Sequence, residues 1–165
     1  MNPPFTDITQ YLIGTTHCSA YALVDGLQFE RYYGTELVPQ SEIVIPLFSK
    51  WPDSRIAFAG PWLIQLNGAM QYHKKLQQLE NALPAVSWIA SSLTPEDLSE
   101  HLKRFMNVFI PDGKTALLRF WDPRVAERLA MMLDELQHED LLNNIEEWLY
   151  TAGGTINSLR WRRTS

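Results

Sequence analysis

Thiol chemistry is almost missing from this chain: among 165 residues there is one cysteine, Cys18. No intrachain disulfide can form, and a single thiol fits a reducing compartment. Long apolar runs are missing too. No stretch approaches the ~18 apolar residues that span a bilayer. The start, Met1-Asn2-Pro3-Pro4-Phe5-Thr6-Asp7, has neither the basic region nor the apolar core of a signal peptide. A cytoplasmic protein with no membrane partner is expected. Positive charge is scarce, with 14 Lys and Arg against 19 Asp and Glu and a net charge of −5. Proteins that grip phosphate backbones need a basic footprint, so no nucleic acid is expected as partner. The short basic end Arg160-Trp161-Arg162-Arg163 does not outweigh the acidic bulk.

Catalytic signatures are equally sparse. Gly113-Lys114-Thr115 matches the end of a phosphate-binding loop, but that motif needs a glycine where Val108 stands. It also needs a helix where Thr115 to Trp121 reads as a strand. His17-Cys18 would set a base beside a thiol, yet neighbours on an extended segment point to opposite sides. His73, His101 and His138 each lack a second His or Cys at ligand spacing. No Gly-x-Ser-x-Gly or His-Glu-x-x-His occurs. Carboxylates such as Glu96, Asp97, Glu100, Asp134, Glu135, Glu139 and Asp140 fall on solvated helix faces. No catalytic residue, metal site or cofactor is therefore expected.

What the chain does have is apolar and aromatic content: 45% hydrophobic residues, with six Trp, six Tyr and seven Phe. At this length roughly 70% of the unfolded surface can be buried, enough for one domain with a real core. The aromatics suit a core and also a binding surface, where Trp, Tyr and Arg dominate the energy.

Ala20–Val24 reads as a strand closing at an Asp25-Gly26 turn, and Phe29–Leu37 as a short helix. Ile43–Phe48 and Trp62–Leu66 are short, apolar and extended. Ala69, Tyr72, Leu76, Leu79 and Leu83 form one helical stripe that Pro84 ends, and Val86–Ala90 reads as a buried strand. Thr94 and Pro95 open a helix whose buried face is Leu98, Leu102, Phe105 and Met106. Pro111-Asp112-Gly113 turns a hairpin between Val108–Ile110 and Thr115–Trp121. Asp122-Pro123 opens a second helix burying Val125, Leu129, Met132, Leu133 and Leu136. A third helix is expected from Glu139 to Tyr150, ended by Gly153-Gly154. The order predicts an α/β (α+β) fold: a mixed sheet with flanking helices as an N-terminal lobe over residues 1–121. A small helical C-terminal lobe follows over residues 122–165, the two forming a single unit.

In the segment Thr115–Val125, regular alternation sets Leu117, Arg119 and Trp121 on one face. An Arg sharing a face with Leu and Trp needs a carboxylate, carbonyls or a solvated edge, and Asp25 and Asp122 are candidate partners. Arg119 and Arg124 either lock strand to helix or flank an exposed docking surface with Trp121. Leu117-Leu118-Arg119-Phe120-Trp121-Asp122-Pro123-Arg124-Val125 resembles the signature of the type VI secretion effector adaptor/chaperones, long catalogued as a domain of unknown function. Tyr21-Ala22-Leu23-Val24-Asp25-Gly26, Gly60-Pro61-Trp62-Leu63-Ile64-Gln65-Leu66 and Trp88-Ile89-Ala90-Ser91-Ser92-Leu93 fit in the same order. The resemblance implies a bacterial cytoplasmic protein that binds a toxic effector and delivers it to the VgrG spike. Arg119, Trp121, Arg124, Asp25 and Trp62 are then the expected partner-binding residues, with Asp25 also placed structurally at a strand end. A small enzyme with residues gathered from distant positions, and an immunity-type or structural binder, are the alternatives.

Overall fold

The computed structural model describes residues 8–9, 17–48, 53–109 and 115–160, without the side chains of 53–55, 107–109 and 115–117. The expected turn at Pro111-Asp112-Gly113, the Gly113-Lys114 pair and the tail from Trp161 lie outside them.

The centre is a six-stranded sheet in the order β2-β3-β1-β4-β7-β8, every neighbour pair antiparallel. Its strands are β1 (Ser19–Asp25), β2 (Val44–Pro46), β3 (Pro61–Gln65), β4 (Val86–Ser91), β7 (Ile145–Ala152) and β8 (Thr155–Ser158). A separate antiparallel pair is formed by β5 (Asn107–Phe109) and β6 (Thr115–Leu117), where the two hairpin strands are expected. The helices are α1 (Gly26–Tyr33), α2 (Met70–Ala82), α3 (Pro95–Lys103), α4 (Pro123–Met132) and α5 (Glu135–Leu141). The expectation of an α+β fold with flanking helices is met, but the sheet is antiparallel throughout rather than mixed.

Both sheet faces are covered, which explains the unbroken apolar runs of β1 and β4. Tyr21, Leu23 and Ile89 face one core with Leu98 and Leu102 of α3, Ala126 and Leu129 of α4 and Leu141 of α5. Ala20, Ala22, Val24 and Trp88 face the other, with Phe29 of α1 and Leu76 and Leu79 of α2. The buried Trp88 indole donates to Glu80 Oε2 at 2.6 Å, and burial pushes that carboxyl up to about 7.

Four further expectations need correction. Asp25-Gly26 is not a turn but a strand running straight into a helix. Asp25 Oδ1 accepts from the Leu27 and Gln28 amides at 3.0 and 3.3 Å, capping α1. Gly26 is required because a Cβ there would lie 2.0 Å from the Phe58 carbonyl oxygen.

The strand expected through Trp121 stops at Leu117. Asp122 N bonds Arg119 O at 3.0 Å, so residues 119–122 form a turn. Without strand alternation the neighbours Phe120 and Trp121 are both buried.

The second helix is two helices. Asp134 starts α5 with a capping box, accepting from Gln137 N at 2.8 Å while Gln137 Oε1 accepts from Asp134 N at 3.0 Å. Met132 and Leu136, expected inside, are exposed.

The third helix does not exist. α5 ends at Leu141, Asn144 turns the chain with φ +64°, and Ile145–Ala152 is a strand beside β4. Gly153 and Gly154, both at positive φ, make the β7–β8 hairpin turn. The segment after Pro123 thus supplies two helices and also the last two strands of the sheet.

Candidate docking surface

The corner built from the Arg-Phe-Trp-Asp-Pro-Arg run divides its residues sharply. Trp121 is 4% exposed, its ring set edge-on against Phe48 and Phe120 at centroid distances of 5.8 and 5.4 Å. Trp62 is 2% exposed, and its indole N–H donates to Phe58 O at 3.2 Å. Neither can meet a partner without unpacking the core, so both leave the expected docking set.

Arg119 and Arg124 are exposed. Asp122 caps α4 by accepting from Arg124 N at 2.9 Å. Arg124 grips the same carboxylate with two side-chain bonds, Nε to Oδ1 at 3.1 Å and Nη2 to Oδ2 at 2.8 Å. Asp25 lies within the field of this corner. Burial pushes its carboxyl up, the Gln28 and Leu27 amides oppose that shift, and Asp122 and Arg119 add opposing charges. The two aspartates are structural caps, which leaves the two arginines as the outward face of the corner.

A second surface lies where α4 meets α5, and it includes Met132 and Leu136, expected to be buried. Met131, Met132 and Leu136 are 84%, 74% and 78% exposed where α4 meets α5. Beside them runs an apolar groove of about 220 Å³ lined by Phe105, Leu118, Leu129, Leu133 and Leu141, with Arg104 and Asp140 at its edge. Exposed Glu127, Asp134, Glu135, Glu139 and Asp140 lie on the same two helices, against exposed Arg124 and Arg128 there and exposed Arg104 at the groove. Three large apolar side chains held in water beside a groove, under a strong carboxylate excess, fit an apolar segment carrying basic residues.

A polar cavity of about 380 Å³ lies at the other end of α5. His17, Cys18, Glu139, Asn144, Glu146 and Arg160 line it. Burial pushes the Cys18 thiol up, and the Glu146 carboxylate pushes it further. Reactive thiols are lowered instead, so this one is not prepared as a nucleophile. Among the described residues, the group able to hold a metal ion is His17, Cys18 and Glu146.

The profile of the domain of unknown function DUF4123 matches residues 20–140. The chain belongs to the DUF4123 family. Searches of curated proteins and of solved structures returned no match. The DUF4123 match begins at β1 and ends within α5, so it contains the Arg119–Arg124 corner and the α4–α5 shelf. Strands β7 and β8 fall beyond it although they complete the sheet. No helix among the described residues is long and apolar enough to cross a membrane.

Sequence reasoning found the corner and missed the shelf. The signal for the shelf was present in Asp134 and Gln137, a capping pair at the spacing that starts a helix.

Proposed function

We propose that the chain is a cytoplasmic, non-catalytic adaptor that binds a type VI secretion effector and assists its loading onto the VgrG spike. The observation that carries this reading is the α4–α5 shelf, with Met131, Met132 and Leu136 exposed beside an apolar groove. Met side chains suit such a surface because they repack around different apolar shapes. Two further points support it: the likeness of Leu117–Val125 to the adaptor signature, and a thiol whose proton is held rather than released.

The occupant is an amphipathic helix of the effector. Apolar residues at i, i+3, i+4 and i+7 would fill the groove, and Lys or Arg on its flanks would face the carboxylates of α4 and α5. Arg119 and Arg124 form a second, polar contact at the start of α4.

Co-expression with an effector encoded beside the chain's gene tests the reading. Co-elution of the two proteins is expected, together with loss of that effector's delivery when the chain is deleted. Purified protein that binds neither the effector nor a spike protein would overturn it.

A further inference from the structure

We infer that His17, Cys18 and Glu146 form a binding site for a divalent cation of the zinc class. One ligand atom from each lies within 4.8 Å of the other two, and all three residues line the 380 Å³ cavity.

The backbone explains how they meet. Cys18 precedes β1, whose Ser19 pairs with Ser91 of β4, which in turn pairs with Ile145 of β7. Ala90 pairs with Glu147 and Ser91 with Ile145, so Glu146 is the extra residue of a β-bulge. Bulges redirect side chains, and here the carboxylate comes within 4.8 Å of the thiol. His17 occupies a bend ahead of the strand. Strict alternation therefore does not separate it from Cys18.

Hydrogen bonds brace the backbone beside the cavity. Ser91 Oγ donates to Asn144 O at 2.7 Å, and Arg160 Nη1 donates to Ile145 O at 3.0 Å. A cation would meet ligands on a braced frame.

The donor set selects the ion. Imidazole nitrogen, thiolate sulfur and carboxylate oxygen are zinc ligands, with bonds of about 2.0–2.3 Å. Magnesium and calcium take oxygen ligands instead. Tetrahedral geometry at those bond lengths sets the ligand atoms roughly 3.3–3.7 Å apart. His17 and Glu146 are exposed, and rotation of their side chains would close that gap. Binding replaces the thiol proton with the metal, releasing one proton and forming the sulfur–metal bond. The thiolate and the Glu146 carboxylate then balance the two positive charges. The cavity leaves room for a fourth ligand.

The test is a Co²⁺ titration of the purified full-length chain after chelator treatment, followed by absorbance, with Zn²⁺ as competitor. One equivalent should give a thiolate-to-cobalt charge-transfer band and tetrahedral ligand-field bands, both displaced by Zn²⁺. Cys18→Ser should abolish the charge-transfer band. Glu146→Gln, at an exposed position that leaves the core untouched, should weaken binding by at least about tenfold, the loss that even outer-shell changes produce. Cobalt binding without the thiolate band, no binding, or affinity unchanged in Glu146→Gln overturns the assignment.

Discussion

At the scale of single residues, the Arg-Phe-Trp-Asp-Pro-Arg run separates into structure and surface. Trp121 fills the space between Phe48 and Phe120. Trp121→Ala should therefore cost about 3–5 kcal/mol, the range for large aromatic deletions, seen as a lower denaturation midpoint. Arg124→Glu loses an exposed ion pair with Asp122, a contact of about 1 kcal/mol or less. Its denaturation midpoint should stay close to wild type while its effector affinity falls. A Trp121→Ala protein as stable as wild type would show that the ring is not part of the core.

Glu80 gives a pH prediction at the same scale. Its carboxyl is raised from the ordinary value of 4.5 to about 7, so the folded chain holds a proton that the unfolded chain releases. The resulting stability is full below pH 4.5 and is lost as pH rises through about 7. Glu80→Gln keeps an acceptor for the Trp88 indole and has no proton to lose. Between pH 5 and 8 it should flatten the decline by about 1–2 kcal/mol, allowing for partial solvent screening. Chemical denaturation across that range measures it, and parallel profiles for the two proteins would contradict it.

At the scale of elements, the sequence was legible wherever one local device decided the outcome. Thr94-Pro95 and Asp122-Pro123 begin helices as expected, and Leu76 and Leu79 mark the buried side of α2. It failed where two periods fitted the same letters. Ile145–Ala152 carries apolar residues at helical spacing, but Ile, Trp and Tyr also suit a strand covered on both faces. Its register with β4, more than fifty residues away, decides in favour of strand. The shelf was lost for a different reason: one helical stripe was carried across Asp134, where the capping box begins a new helix. Asp134→Ala should cost about 1 kcal/mol and lower the thermal midpoint. An unchanged midpoint would mean that α5 does not depend on this cap.

At the scale of the whole molecule, the sheet is closed by strands from the far end of the chain. The helices α4 and α5 are therefore bracketed between β6 and β7 rather than hung on as an appendage. That arrangement gives the shelf a rigid floor of Phe120, Leu129 and Leu141 while Met131, Met132 and Leu136 face water. Rigid presentation lowers the ordering cost of binding. The corner of Arg119 and Arg124 could be located from the sequence motif. The shelf, and the meeting of His17, Cys18 and Glu146, depend on long-range pairing that no local pattern encodes. The carboxylate excess also predicts that affinity for a basic effector segment falls as salt rises.

The most direct measurement is effector affinity of the Met132→Asp/Leu136→Asp protein against wild type, by calorimetry with the co-purifying effector. Both positions are exposed, so the denaturation midpoint should be retained while affinity drops by about tenfold or more, as loss of interface anchors does. Full affinity in a folded double variant would contradict docking on the α4–α5 shelf.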